Sequence, residues 1–307
     1  MNVFENQAGI SVSATRLQLV EISLNDDHSS ISNFDEAYYT EPLNFQNEKT
    51  TKLSALLQGA FNEILIRKPL KSKSVSFSLP LDLFYFLQTP VDNSLLHSEM
   101  TDQLKWELTT AYPFINPDEM VFRFIEIPVN SFCDQPTAIV SAINRKYIGI
   151  VNSFCEINKL KLRFIDNIHF ACERTIPPVT PESDSIQLSL FISNSNLSVM
   201  YTYNGNLLSF RVLRFDSISQ VSEIIKNDVS QNKLLKISAG DIGNVFVFGD
   251  DVTDGFVASL STAINIKLIK LNPFINFRIE NNSSGFNFQS ERFNSFASAA
   301  GIAYRTA

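Results

Sequence analysis

The chain has 307 residues, of which 44% are hydrophobic and 19% charged, with 25 basic against 32 acidic side chains and a formal net charge of -7. That is the composition of a foldable globular chain, long enough for two domains. It excludes a nucleic-acid surface, which needs clustered Lys and Arg.

In chain order, residues 8–23 read as a strand, a short polar turn and a second strand. Val12, Leu17, Leu19 and Ile22 are the stiff or bulky apolar positions, and Ser11, Ser13, Ala14 and Thr15 sit at the bend. A polar stretch over 24–40 ends in an expected edge strand near 37–40. The spacing of Leu53, Leu56, Leu57, Ala60, Phe61, Ile64 and Leu65 predicts a helix over 50–67, stopped by Lys68-Pro69. Strands are expected over 74–79 and 83–88. A helix follows over 92–111, with Met100, Leu104, Leu108 and Ala111 inward, ended by Tyr112-Pro113-Phe114. Strands over 121–127 and 137–142 come next. Then come a helix over 146–158, with Ile148, Val151, Cys155 and Ile157 inward, and a strand over 162–166. This order suggests a small α+β insert over about 75–167.

Prolines in the stretch 176–182 predict a linker, with Glu182 and Asp184 carrying no site signal. The second half repeats the opening plan. A strand runs to Ile192, a turn covers 193–196, and a further strand leads to the Asn204-Gly205 hairpin. A helix is expected over 217–229 with Ile218, Val221, Ile224, Ile225 and Val229. A buried strand over 244–248, a helix over 253–264, a strand over 266–270 and a turn at Asn272-Pro273-Phe274 follow. Gly285 falls in a polar loop. The last helix, 292–305, places Phe293, Phe296, Ala297, Ala300, Gly301 and Tyr304 on one face. The domains expected are therefore 1–180, including the insert, and 181–307.

Two strand–turn–strand units about 180 residues apart suggest a duplicated α/β fold around a cleft, in which the two turns are where a nucleotide's phosphates would sit. The candidate phosphate residues are Ser11, Ser13, Thr15 and Arg16 in the first turn, and Ser193, Ser195 and Gly249 on the second side. Thr15 and Arg16 read first as a turn residue and a surface arginine, and only second as phosphate contacts. Glycine is scarce, at 10 residues against 26 Phe. Anion-cradling loops need glycine where backbone N–H groups approach the ligand, so the composition favours packing surface over such loops.

No catalytic or metal-ligating set emerges. His28, His97 and His169 lie in different elements, and Cys133, Cys155 and Cys172 show no C-x-x-C spacing. Their odd number gives no disulfide framework and suits a reducing compartment. Asp166 reads first as a cap or anchor for the segment entering 168–173, and second as a catalytic base. Asp250-Asp251 reads as a cation site or as the acids of a helix N-terminus. Trp106, the only tryptophan, lies off its helix's apolar stripe. With the Tyr112, Pro113 and Phe114 corner it is a candidate partner groove, against the alternative of packing within the insert. Residues 1–5 carry no signal-peptide pattern, and no run approaches ~18 apolar residues. The expectation is a soluble, cytoplasmic chain.

Several strings resemble the PilM family, the cytoplasmic actin-like proteins of type IV pilus machines. Gly9-Ile10-Ser11-Val12-Ser13 is similar to the family's first phosphate strand, usually Gly-Ile-Asp-x-Gly. Gln103-Leu104-Lys105-Trp106-Glu107 with Tyr112-Pro113-Phe114 resembles its helix and Tyr-x-Pro-Phe exit, and Phe164-Ile165-Asp166 to Ala171 its Val-Asp-x-x-x-x-Ala segment. Val245 to Gly249, Asn272-Pro273-Phe274 and Ala299-Ala300-Gly301-Ile302-Ala303 resemble the later strand, turn and closing helix. The resemblance implies a duplicated actin-like (ribonuclease-H-like) fold in two domains with an inserted subdomain. It further implies docking of the cytoplasmic N-terminal tail of a PilN-like single-pass inner-membrane protein, between the first domain and its insert, so that membrane association is indirect. The sequence departs from the family at Ser11 and Ser13, at Phe191-Ile192-Ser193, and at Gly249-Asp250-Asp251. An Asp in either loop would position Mg²⁺ or an attacking water, and each missing charged hydrogen bond costs ~1.5–3 kcal/mol. The expectation is a non-enzymatic scaffold with no cofactor, for which ATP and Mg are at most weak ligands. The alternatives are an ATP-binding actin-like or sugar-kinase-like enzyme, and the cytoplasmic part of a GspL-like type II secretion protein.

Overall fold

A computed structural model describes residues 7–24, 29–177, 185–193, 195–231, 234–250, 252–280 and 290–305. His28, Asp251, Glu182, Asp184, Gly285 and most of the expected linker lie outside those residues. In chain order the elements are β1 (Gln7–Val12), β2 (Arg16–Leu24), β3 (Ser29–Tyr38), α1 (Thr50–Arg67), β4 (Ser74–Leu79), β5 (Phe84–Pro90), α2 (His97–Ala111), β6 (Met120–Ile127), β7 (Thr137–Asn144), α3 (Arg145–Ile157), β8 (Lys161–Asn167), α4 (Ile168–Glu173), β9 (Ile186–Ser193), β10 (Asn196–Tyr203), β11 (Asn206–Arg214), α5 (Val221–Gln231), β12 (Ile242–Gly249), α6 (Asp254–Ile264), β13 (Leu268–Lys270), β14 (Arg278–Ile279) and α7 (Ala297–Ala303). The chain divides into two compact units. One takes residues 1–83, 146–177 and 271–307, and the other 84–145 and 178–270.

The first unit is built on a six-stranded sheet of order β14-β3-β2-β1-β4-β8. β1, β2 and β3 form an antiparallel meander, while β4 and β8 run parallel to β1. α1 has the bounds its apolar stripe predicts and buries Leu53, Leu57, Ala60, Phe61 and Ile64. α3 turns Tyr147, Ile150, Val151, Phe154 and Cys155 inward, and Phe154 packs edge-on against Phe61 and Phe77. Ile157, expected inward, is 68% exposed, because the stripe has rotated past it by the last turn.

α7 organises this unit. All seven of its residues are buried, as befits a helix with no polar face. Its small side chains let backbones meet: a Cβ on Gly9 would stand 2.0 Å from the Ala299 carbonyl oxygen, and one on Gly301 1.7 Å from that of Ala171. A 3-10 stretch, Ser290–Phe296, rather than the expected α-helix, leads into it. Phe293 and Phe296 from that stretch close with Phe34 and Phe274 into one aromatic cluster.

β3 differs most from expectation. It is ten residues long, begins at Ser29 rather than near 37, and is itself covered at Ser30 and Ile31 by β14. Its polar letters concealed it, yet Ser32, Asn33, Asp35 and Glu36 are all buried. Partners remote in sequence make that burial tolerable: Arg67 reaches Asp35 at 2.8 Å and Arg292 reaches Glu36 at 2.5 Å.

The second unit holds a five-stranded sheet, β11-β10-β9-β12-β13, and a three-stranded sheet, β5-β7-β6. The expected insert over 75–167 is thus narrower at the level of sheets: β4 and β8 belong to the six-stranded sheet, and the small sheet uses only 84–144. α2 lies on it through Met100, Leu104 and Leu108, packed on Ala138, Val140 and Ala142. Its first turn starts at His97, not 92, since Asp92 is spent on a turn that accepts the Ser94 amide. Ala111, expected inward, is exposed. Gln88 ties the small sheet to β11. Its side chain donates to the Leu208 carbonyl at 2.9 Å and accepts from the Ser209 hydroxyl at 2.7 Å, and the Phe86 and Phe210 rings meet at 4.7 Å.

In the larger sheet Asn204 and Gly205 both take positive φ (51° and 75°), as a two-residue hairpin of this twist requires. Helix α5 starts at Val221 after a short 3-10 turn, which leaves Ile218 51% exposed instead of inward. Thr253 caps α6 by accepting the Phe256 amide. β13 begins at Leu268 rather than 266, because the Ile266 amide closes the C-terminal turn of α6.

Candidate functional site

The first turn is closed by its own serine. The Ser13 amide donates to the Arg16 carbonyl at 3.0 Å. The Ser13 hydroxyl accepts the Thr15 and Arg16 amides at 3.3 and 3.2 Å. Both amides belong to the bend at which the sequence places its first candidate phosphate residues. Ser11 is 1% exposed, and its hydroxyl accepts from Ser298 of α7 at 2.7 Å. Thr15 is exposed at the tip. Arg16 is not the surface arginine that one reading expected. It is 3% exposed, lies 3.5 Å from Glu36 and donates to the Tyr38 hydroxyl at 3.2 Å. Glu36 also binds Arg292 and the Gln18 side chain, so the cation nearest the turn is committed to a buried carboxylate.

The second turn joins β9 to β10. Phe191 is 3% exposed at the end of β9, a packed ring beside the turn. Ser193 pairs with Asn196 across the hairpin. Ser195 is exposed, and its carbonyl accepts the Phe215 amide at 2.9 Å. Gly249 ends β12, which runs parallel to β9 with Gly249 opposite Ile192. A Cβ there would stand 2.3 Å from the Ile192 carbonyl oxygen and 2.7 Å from Val252. The missing side chain of Gly249 is accounted for by close packing of β12 on β9.

Asp166 is an anchor. It accepts the Asn167 amide at 2.9 Å and receives Arg174 at 2.6 Å and Arg305 at 2.8 Å. The cap of α4 is its neighbour Asn167, whose side chain accepts the His169 and Phe170 amides. His169 is fully buried, and burial lowers its pKa to about 3, which keeps the imidazole neutral at physiological pH. His97 opens α2, its ring 5.2 Å from Phe124. Cys155 is buried, and burial raises its thiol to about 11, which leaves it unreactive. Among the described residues no three His, Cys, Asp or Glu side chains gather as a metal site would need.

The four residues of the expected partner groove, Trp106, Tyr112, Pro113 and Phe114, lie in the C-terminal half of α2 and just beyond it. Trp106 is 67% and Phe114 73% exposed. Tyr112 donates to the Phe86 carbonyl at 2.8 Å, and the Tyr85, Tyr112 and Phe114 rings pack with centroids 5.1 to 6.1 Å apart. That corner is half packing and half open apolar surface. A groove of about 770 Å³ also lies in the second unit, between α2 and β6. Sequence reading passed over Arg123 and Arg145 in its lining, and named Lys105 within the Gln103 to Glu107 string. The available signal was weak: strand 120–127 carries apolar residues on both faces, which an isolated edge strand does not need.

No family profile matches the chain and no curated protein matches it by sequence. Solved structures do match over nearly its whole length. A chain of the PilM–PilN type IV pilus biogenesis complex is 17% identical, with a TM-score of 0.73 and 97% of each chain covered. A Bacteroides thetaiotaomicron protein with an actin-like ATPase fold and unknown function is 12% identical, with a TM-score of 0.56, 98% of this chain and 96% of that one. The cytoplasmic domain of EpsL, an inner-membrane component of the type II secretion system of Vibrio cholerae, is 8% identical, with a TM-score of 0.51, 98% and 97% covered. The likeness read from the sequence is present as fold, and this chain has the actin-like ATPase architecture.

Proposed function

We propose that the chain is a non-catalytic actin-like scaffold of a type IV pilus inner-membrane platform, which binds the cytoplasmic N-terminal tail of a PilN-like single-pass membrane protein. The observation that carries this reading is the fold likeness over 97% of both chains to a component of the PilM–PilN complex. An extended tail would contribute main-chain hydrogen bonds and fill apolar pockets. The exposed Trp106 and Phe114, at one end of α2, are the large open apolar side chains the tail would cover. No helix among the described residues is long and apolar enough to cross a membrane; in this reading attachment passes through the partner.

The residues at the two turns do not fit Mg–ATP, in our reading. Ser13 takes the amides a phosphate would use, Ser11 is bonded to Ser298, and Phe191 stands where the second turn would need a carboxylate. We derive no step through a nucleotide. A second reading, the cytoplasmic part of a type II secretion component, is favoured by the likeness to the EpsL domain. Fluorescence anisotropy with a labelled tail peptide from the neighbouring membrane protein tests the proposal. Saturable binding that weakens at least about tenfold in Trp106→Ala supports it. No binding of the unsubstituted chain would refute it.

A further inference from the structure

The second unit carries a sheet edge with the form of a strand-acceptor site. In the order β5-β7-β6, β6 pairs with β7 along all eight of its residues. Among the described residues nothing pairs with its other edge. An exposed edge of this length is a template for another strand, and natural sheets commonly blunt such edges.

Here the edge is instead the floor of a groove. α2 forms the wall with His97, Thr101 and Lys105, and β6 contributes Phe122, Arg123 and Phe124. The volume, about 770 Å³, falls in the range of real ligand sites. Two rings of the floor are already held in place: Phe124 lies 5.2 Å from His97, and Lys105 sits 6.0 Å over Phe122. A strand laid along β6 would find backbone donors and acceptors on one side and aromatic faces beneath alternate side chains.

The charge of the groove selects the occupant. In a chain of net charge -7, this groove gathers Lys105, Arg123 and Arg145 against Asp118 and Glu126. The Arg123 side chain donates to the Phe122 carbonyl, and Lys105 has Asp102 no nearer than 3.9 Å. Neither Arg123 nor Arg145 has a carboxylate partner among the described residues. The geometry points to an extended peptide that alternates apolar and acidic side chains, added to β6 as the fourth strand of the small sheet. Its apolar side chains cover Phe122 and Phe124, and its carboxylates meet Arg123 and Arg145. The site stands apart from the tail-docking reading, which names a partner and rests on the likeness of folds. A synthetic strand tests the groove without that partner.

The probe is a short fluorescein-labelled peptide alternating valine and glutamate, with a valine–lysine counterpart, titrated into the full chain by anisotropy. Hydrogen exchange of the 120–127 segment is followed in parallel. The expected results are saturable binding of the acidic peptide, at least about tenfold weaker binding of the basic one, and slowed exchange across 120–127 on binding. Arg123→Glu with Arg145→Glu should invert the preference. Where that variant fails to fold, exchange on the unsubstituted chain still decides. The proposal is overturned if neither peptide binds at millimolar concentration, if both bind equally, or if binding leaves 120–127 exchange unchanged. A free chain that is already a dimer with 120–127 protected would also overturn it, since a second copy would then occupy the edge.

Discussion

Replacing Gly301 by alanine tests the packing of α7. The new Cβ would stand 1.7 Å from the Ala171 carbonyl oxygen, whereas ordinary contact begins at 3.4 Å. One backbone must therefore retreat by about 1.7 Å, and neither is free to do so. Both α7 and Ala171 are fully buried, and Ser298 of the same helix is bonded to Ser11. Overpacking of a dense core costs ~1–3 kcal/mol. A clash of backbone on backbone belongs at the upper end, so about 3 kcal/mol is expected. At ~2–4 °C per kcal/mol for a chain of this size, the melting transition of the first unit falls by about 6–12 °C. Gly59→Ala is the control. Nothing lies within 4 Å of its Cβ position, on the exposed side of α1, so the better helix former should add ~0.8–1 kcal/mol. Differential scanning calorimetry separates the two. A Gly301→Ala transition within about 1 °C of the parent would refute the claim that α7 meets α4 backbone to backbone.

Three further outcomes follow from the same contacts. Ser13→Ala leaves the Thr15 and Arg16 amides without their side-chain acceptor and should cost ~1–2 kcal/mol in urea unfolding; no measurable loss would mean that the serine does not close the turn. Glu36→Gln removes the buried charge that joins Arg16, itself buried, to the exposed Arg292. It should cost about 3 kcal/mol, with Glu63→Gln, whose side chain is 55% exposed beside Arg67, nearly neutral as the comparison. His169 is held neutral by burial, with a folded-state pKa near 3 against an unfolded 6.5. The unfolded chain therefore binds the extra proton. The stability linked to this group is complete above pH 6.5 and is lost as pH falls from there toward 3, at ~1.4 kcal/mol per unit. Urea unfolding at pH 6.5 and pH 5 should show a steeper loss for the parent than for His169→Leu, and parallel losses would contradict it. Glu21 and Asp35, both raised by burial, act with the opposite sign in both proteins and cancel in the difference.

Much of the fold could be read from local pattern, because local pattern caused it. The apolar stripe of α1, the Asn-Gly hairpin and the paired strand–turn–strand units are set by neighbours in sequence. What could not be read depends on partners far away in the chain. β3 looked polar because its buried acids are matched by Arg67 and Arg292, 32 and 256 residues on. Arg16 looked like a surface residue for the same reason. The insert's limits were overrun because β4 and β8 carry the same strand signals whichever sheet they join. Among the candidate site residues, Ser11, Ser13 and Gly249 were singled out by motif, and the contacts they make are ones no motif specifies: a hydroxyl on α7, two amides of the turn, and the Ile192 carbonyl. The α2–β6 groove had no motif at all, since an unpaired sheet edge is defined by what is not beside it.

The account turns on whether the Ser13-closed bend still takes a triphosphate. Isothermal titration calorimetry of the whole chain with Mg–ATP asks this directly. No saturable heat up to millimolar nucleotide is the result expected here; a micromolar dissociation constant would contradict it.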